Sequence, residues 1–508
     1  MDISFSHPET IIFISGALIA VSVLANRLSG RLGIPLLVIF LGIGMLAGSE
    51  GPLGIVFENK NLAKFVGLSA VALILFSGGL ETHWKSIRPV LWRALTLATL
   101  GAVLTALFLT LFMWLVLGMP LLHAFLLGSI VCSTDAPAVF AVMRSPNVNL
   151  NKSIRPLLEA ESGSNDPIAF FLTMAALAML APAAAGASVW SYLYFVPGMV
   201  INLCVGMACG AALGVAACFI LRKFKLEYEG LYPLLAMSFA LITYGLSDEL
   251  QGSGLMAVYA LGLILGNLDY PNKRYIMRFH EGLGWLLQIV LFVALGLLVN
   301  PSELIAVAPV ALAITAFMMF VARPVAVHIG LLGSPFSWNE RTLISWAGLR
   351  GAVPIVFAVL PFAAGYERAN EVFNIVFFVV VASVLFQGTT LMPLARLLKV
   401  DTPPPPRRKF PLELEKIAGF KEDMEEVEIT PDSAVINVPV AKLGLPREVL
   451  ILLIHRDEYF IVPRGQTVIQ AFDNLMLLGP DADLDRARKI LLAETANAPD
   501  QESEKPLD

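Results

Sequence analysis

Two acidic clusters sit inside long apolar stretches: Ser133-Thr134-Asp135-Ala136-Pro137, with Asp135, and Glu159-Ala160-Glu161-Ser162-Gly163-Ser164-Asn165-Asp166-Pro167, with Asp166. A carboxylate at membrane depth costs several kcal/mol, so such residues by default mark an ion or proton pathway. Both clusters also contain helix-breaking residues. A buried acid beside an interrupted helix supplies hard oxygens and one negative charge, which is what a dehydrated alkali cation needs.

Helix geometry sets the depths. If a helix enters from the cytoplasm near Ile154, Asp166 lies about 18 Å along its axis. A helix entering from outside near Pro120 puts Asp135 about 22 Å in, and Arg350 lies about 14 Å from Arg341. All three charges therefore converge on the middle of a hydrocarbon core roughly 30 Å thick. On the Asp166 helix, Ser162 and Asp166 share one face, and Glu161 and Asn165 share a neighbouring one. Pro167 has no N–H, so the carbonyl of Gly163 is left over beside Asp166. Asp166 is the first choice for an exchanging group, with Ser162 beside it.

Two roles stay open for Asp135: direct cation contact, or compensation of the partial charges at half-helix ends. Glu161 and Arg350, opposite in charge and similar in depth, are expected to form a buried ion pair with Asn165 as a bridge. Their expected role is to hold two crossed regions together. Glu81, after the apolar Phe76–Leu80, either lines a cytoplasmic entrance or is an interfacial charge near Lys85.

The elements that position these residues follow from composition. Of 508 residues, 57% are hydrophobic and 15% charged, far from the balance of a soluble domain. About thirteen apolar segments are long enough to span a bilayer. They cover 9–26, 32–48, 62–80, 89–117, 120–142, 154–180, 189–221, 231–247, 253–268, 281–299, 303–329, 341–361 and 371–397. Arg27/Arg31, Lys85/Arg88, Arg144/Lys152/Arg155, Arg222/Lys223/Lys225, Lys273/Arg274/Arg278 and Arg341 fall in alternate loops. By the positive-inside rule the N-terminus is outside and the C-terminus cytoplasmic.

The polar interruption at Ser133–Pro137 and that at Gly348-Leu349-Arg350-Gly351-Ala352-Val353-Pro354 are seven segments apart. That spacing fits two inverted repeats whose broken helices cross at a transport site. Met1–Thr10 lacks a basic region, so the first segment reads as a retained helix. Cys132, Cys204, Cys209 and Cys218 lie in apolar helices without metal-ligand spacing, and no structural disulfide is expected. The net charge of −5 gives no sign of nucleic-acid binding.

Past Asp401 the composition changes. Pro403–Pro406 form a stiff spacer, and Arg407, Arg408 and Lys409 suit anionic lipid. A small α/β region follows, with strands at 427–430, 449–455, 459–462 and 474–479 and a helix at 483–492. It is either a dimerisation or trafficking module or a ligand-sensing regulatory domain. The residues after about 494 are polar and acidic and read as disordered.

Glu161-Ser162-Gly163-Ser164-Asn165-Asp166-Pro167, Thr134-Asp135 and Gly348-Leu349-Arg350-Gly351 resemble the cation/proton antiporter family that includes the NhaP exchangers and the animal sodium/proton exchangers. The likeness covers about residues 10–400. It implies that Asp166 binds a monovalent cation and a proton in turn. It also implies that Ser162 and the Thr134 backbone help hold the ion, and that Glu81 contributes on the cytoplasmic side. Glu161, Asn165 and Arg350 would form a structural polar bridge. Asn165, where electrogenic relatives carry a second aspartate, implies electroneutral exchange. Asp135-Ala136-Pro137 departs from the Asp-Pro of many relatives, which leaves the shape around Asp135 in question.

Residues 450–479 resemble the ligand-binding C-terminal half of potassium-conductance-regulator domains, which accompany potassium transporters more than sodium ones. The expectation is thus an all-α polytopic membrane protein with a small α/β cytoplasmic domain. Residues 1–400 would form the transmembrane exchanger, 401–420 a linker, 421–493 a regulatory domain and 494–508 a tail. It would be a homodimer in the lipid of a bacterial inner membrane and not an enzyme. It would exchange K⁺, in preference to Na⁺, for H⁺ without a cofactor, and its C-terminal domain would take a small-molecule or nucleotide ligand.

Burial favours a protonated carboxyl and a nearby cation favours the ionised one, so a single site holds H⁺ or metal, rarely both. Movement of helices four to six and eleven to thirteen against a dimerising scaffold would give alternating access. Two other classes fit the sequence less well. A channel gated by the C-terminal domain lacks a Thr-Val-Gly-Tyr-Gly-type filter. An intramembrane aspartyl hydrolase would need Asp135 and Asp166 to share a proton, which Arg350 and Asn165 fit poorly.

Overall fold

The computed structural model describes residues 8–32, 35–55, 60–136, 139–140, 149–150, 153–181, 195–402, 422–430, 433–456 and 459–493. Pro137, most of the expected linker with Arg407, Arg408 and Lys409, and the expected tail lie outside them. The chain forms two compact units, Met1–Pro404 and Pro405–Asp508.

Each of the thirteen apolar segments contains described helix. Seven described helices are long and apolar enough to cross a membrane: Asn61–Glu81, Leu91–Leu115, Ile154–Leu180, Pro197–Lys223, Lys273–Leu297, Pro301–Gly330 and Ala369–Leu397. Others are short, as with Leu36–Ala47 and Gly254–Asn267, or broken, as with Leu121–Val131 and Trp338–Trp346. Several basic residues expected in loops lie instead on helix ends. Lys273, Arg274 and Arg278 occupy the first turns of Lys273–Leu297, two turns before its apolar stretch begins. Long basic side chains let a helix run past the hydrocarbon while their charged heads stay in water.

Two of the long helices contain π turns, at Leu97–Gly101 and Met318–Ala322. They fall in the fourth and eleventh segments, again seven apart, as in the pair of broken helices. Elsewhere the helices pack by backbone contact. A Cβ on Gly262 would lie 2.4 Å from the carbonyl oxygen of Phe76, so glycine alone lets Gly254–Asn267 lie against Lys60–Glu81. A large apolar core fills this unit. A second cluster joins Ile154, Leu157 and Leu158 to Leu343, Leu349, Leu391, Ala395 and Val400.

A two-stranded ladder also belongs to this unit. In it β1 (Asn149–Leu150) pairs antiparallel with β2 (Asp401–Thr402).

The second unit is an antiparallel sheet of β3 (Glu422–Glu428), β4 (Leu450–Arg456), β5 (Tyr459–Ile461) and β6 (Asn474–Pro480) in the order β3-β6-β4-β5. A helix, Asp481–Leu491, follows directly. Val427, Ile451, Ile454, Leu475, Leu477, Leu484 and Ala487 fill the core. The hairpin of β4 and β5 lies where the apolar runs put it. The first strand begins five residues earlier than expected. Its Glu-rich start is an edge strand, where acidic side chains discourage pairing with other chains. Fully buried Asp473 accepts from Arg456 Nε at 2.7 Å and Nη2 at 2.8 Å, which pins the end of β4 to the turn before β6.

Candidate ion-binding site

The site forms where two interrupted helices cross. Leu121–Val131 ends before Cys132, and residues 133–135 are non-helical. Trp338–Trp346 ends likewise, and helix resumes only at Ala352. Asp135 N donates to the Leu349 carbonyl at 2.9 Å, tying one unwound strand to the other. Arg350 is fully buried and donates through Nη1 to the carbonyls of Cys132 at 3.2 Å and Ser133 at 2.7 Å. A helix end leaves such carbonyls without partners, and the guanidinium both bonds them and balances their partial negative charge.

The Asp135 carboxylate lies against Gly351, at the start of the resumed half-helix. A Cβ on Gly351 would sit 1.4 Å from Asp135 Oδ2. Glycine is therefore required where the chains cross, and Asp135 is half-buried at the positive end of that half-helix.

Ile154–Leu180 brings its polar face against the same crossing. Ser162 Oγ donates to the Thr134 carbonyl at 3.0 Å and accepts from Ala136 N at 3.0 Å. Asn165 Nδ2 donates to Thr134 Oγ1 at 2.5 Å, and Thr134 N donates back to Asn165 Oδ1 at 3.5 Å. Pro167 lies within the helix, so the Gly163 carbonyl lacks its intrahelical donor. Asp166 is 3% exposed. Its Oδ1 and the Ser133 hydroxyl are both buried and, among the described residues, neither meets hydrogen-bond geometry with another group, although Ser133 lies close enough to interact with the Asp166 carboxyl. Asp135 and Arg350 are the charges that act on it, and among the described residues no ion pair neutralises it. A buried carboxylate oxygen left so costs several kcal/mol unless a proton or a cation satisfies it.

Two expectations need correction. Glu161 does not pair with Arg350. Its Oε1 meets Arg323 Nη2 at 2.5 Å, with side chains 1% and 2% exposed. Arg323 follows the π turn Met318–Ala322, and its Nε faces Gly348 of the broken segment. Arg350 instead donates through Nη1 to the unwound carbonyls of Cys132 and Ser133 and through Nε to Met318 Sδ, while its Nη2 has no hydrogen-bond partner among the described residues. Asn165 bridges to Thr134 and not between Glu161 and Arg350.

Sequence reasoning missed Arg323, although a lone arginine in the apolar run 303–329 carries the same signal that singled out Arg350. It also gave Ser133 no role. Glu81 is exposed at the end of Lys60–Glu81, outside the buried cluster.

The structure thus gathers Asp166, Ser162, Thr134, Asp135 and Ser133 at one crossing. Among the described residues no group of three or more His, Cys, Asp and Glu is placed to hold a metal. An ion here would meet one or two carboxylates and several neutral oxygens, a donor set matched to a weakly bound monovalent cation.

Residues 17–397 match the family model for the transmembrane part of sodium/hydrogen exchangers. The chain belongs to the sodium/hydrogen exchanger family. Residues 424–492 of this exchanger match the TrkA-C domain. Over 488 residues it is 37% identical to the K(+)/H(+) antiporter NhaP of Alkalimonas amylolytica, covering 96% of this chain and 84% of that one. It is 40% identical over 483 residues to the K(+)/H(+) antiporter NhaP2 of Shewanella oneidensis, covering 93% and 82%. The Na(+)/H(+) antiporter ApNhaP of Aphanothece halophytica is 25% identical over 385 residues, 73% and 71% of the two chains.

The fold resembles that of the sodium proton antiporter MjNhaP1 from Methanocaldococcus jannaschii. The TM-score is 0.63 at 23% identity, over 75% of this chain and 99% of that one. The exchanger is a multi-pass membrane protein with a small C-terminal sheet domain.

Proposed function

We propose that this exchanger carries one K⁺ against one H⁺, with Asp166 as the group that holds either ion. The observation that carries the reading is the buried Asp166 Oδ1, for which the described residues supply no well-formed hydrogen bond or ion pair, with the buried Ser133 hydroxyl beside it. When Asp166 is ionised, K⁺ binds to its carboxylate, the Ser133 and Ser162 hydroxyls and the Thr134 carbonyl. When K⁺ leaves, a proton takes its place on the carboxylate. A site neutralised by either ion crosses the low-dielectric core, and a bare carboxylate does not. One-for-one exchange follows, and with one titrating acid per cation it is electroneutral. Glu161–Arg323 and Asn165–Thr134 hold the frame, Asp135 and Arg350 balance the half-helix ends, and Glu81 lies on the cytoplasmic approach.

K⁺ is preferred to Na⁺ because relatives that match nearly the whole chain at 37% and 40% identity are named K(+)/H(+) antiporters. The TrkA-C match supports the same choice.

In this reading thirteen helices span a bacterial inner membrane, with the N-terminus outside and the C-terminus in the cytoplasm. Residues 1–400 transport, 401–420 link, 421–493 regulate and 494–508 form a tail. The protein works as a homodimer, by motion of helices four to six and eleven to thirteen against a scaffold of the others. Proteoliposomes holding a pH-sensitive dye, challenged in turn with K⁺, Na⁺ and Li⁺, test the assignment. Proton efflux driven by K⁺ at lower concentration than by Na⁺ is expected, and Na⁺ preference would reverse the ion assignment. A strong dependence of the rate on membrane voltage would contradict electroneutrality.

A further inference from the structure

The polypeptide leaves the last membrane helix through a contact with the helix that carries Asp166. In the ladder of β1 and β2, Asn149 lies opposite Thr402 and Leu150 opposite Asp401. β1 lies in the connection that enters Ile154–Leu180. β2 immediately precedes Pro403–Pro406, the run that leads to the second unit.

Two further contacts fasten the same junction. Val400, 7% exposed, packs in one cluster with Ile154, Leu157 and Leu158 of the Asp166 helix and with Leu349, the neighbour of Arg350. Asn339 Nδ2 donates to the Leu398 carbonyl at 3.1 Å, joining the exit to the helix that runs into the broken segment. Both sides of the ion site, the Asp166 helix and the Arg350 segment, thus meet the chain at the point where it departs for the second unit.

A ladder of two residues on each side is marginal by itself, so its surroundings decide whether it persists. From Ile154 to Asp166 the path is about 18 Å of continuous helix, which moves as a rod.

We propose that the β1–β2 junction is a relay. A change of state in the C-terminal unit makes or breaks this pairing and shifts the cytoplasmic end of the Asp166 helix, altering how readily Asp166 takes up its cation. The proposal rests on the reading of Asp166 as the exchanging group and of the second unit as regulatory. It requires no docking of that unit on the ion site.

The test measures the half-saturating K⁺ concentration for K⁺-driven proton movement in proteoliposomes. Four proteins are compared: the full chain, a chain ending at Thr402, and each of these with Asp401→Pro/Thr402→Pro, which removes both N–H donors of β2. The archaeal neighbour matches only three quarters of this chain with 99% of its own, so a membrane unit of this fold stands without the second one. Ending the chain is expected to shift the half-saturating K⁺ by at least about fivefold, the low end of ordinary allosteric coupling. The proline pair in the full chain should reproduce that shift, and in the shortened chain it should add nothing.

A proline pair without effect on the full chain overturns the relay. So does an equal effect on both chains, which marks a purely local role, and so does a shortening that shifts nothing.

Should the proline variant fail to fold, Leu150→Cys/Asp401→Cys with the four native cysteines changed to Ser gives a second route. Once oxidised, full and shortened chains should have the same half-saturating K⁺. A difference as large as before oxidation overturns the proposal. Asp166→Asn run in parallel separates the two claims, because exchange surviving there refutes the function itself and leaves the relay without a site to act on.

Discussion

Glu161 Oε1 and Arg323 Nη2 are 2.5 Å apart, and both side chains are all but excluded from solvent. They join the Asp166 helix to the far end of Pro301–Gly330, across the same crossing that Arg350 braces from the other side. Removing one member of such a pair leaves an uncompensated charge in the interior, at about 3–5 kcal/mol. Glu161→Gln and Arg323→Gln are therefore each expected to lower the thermal midpoint of the purified protein. Glu161→Leu/Arg323→Leu should recover most of the loss, since an apolar pair restores neutrality. Glu161→Leu/Arg350→Leu should recover none, and recovery in that pair would restore the discarded pairing.

Gly351 leaves no room for a side chain because Asp135 occupies it. Gly351→Ala forces the two unwound strands apart, and overpacking of this kind costs about 1–3 kcal/mol. Asp135→Gly in the Gly351→Ala background removes the clashing group. Thermal stability should fall in the single variant and return in the double one, as read by monodispersity after heating.

Ser133 and Ser162 separate by what else they hold. Among the described residues Ser133 Oγ ties no backbone group and interacts only with Asp166, so Ser133→Ala leaves the frame intact. It should raise the half-saturating K⁺ about tenfold, equal to roughly 1.4 kcal/mol. Ser162 also ties the Thr134 carbonyl to Ala136 N, so Ser162→Ala should weaken cation binding and lower stability together. Proton-flux titrations with parallel melting curves distinguish the two. Equal loss of stability in both would contradict the assignment of Ser133 to the ion.

Much of this site could be read from residue types because lipid makes polar residues conspicuous. Asp166, Ser162, Thr134 and Arg350 stood out against apolar neighbours, and the breaks were signalled by Gly348, Gly351 and Pro354. Arg323 was hidden by treating 303–329 as one continuous span, and nothing local says that a π turn precedes it. The partner of Glu161 could not be chosen by depth, since Arg323 and Arg350 approach the same plane and only packing decides between them. Helix ends ran beyond the hydrophobic stretches because basic side chains reach water from inside the hydrocarbon. The β1–β2 pairing joins residues far apart in sequence through two residues on each side, too short a pattern for periodicity to show.

The most direct measurement is K⁺-driven proton movement by Asp166→Asn in proteoliposomes, with size-exclusion profile and melting curve matched to the parent protein. Asparagine keeps the size and polarity of the side chain but can neither ionise nor exchange a proton, so no K⁺-dependent movement above protein-free vesicles is expected. Proton movement that still follows the K⁺ gradient in this well-folded variant would mean that the shared carboxylate lies elsewhere.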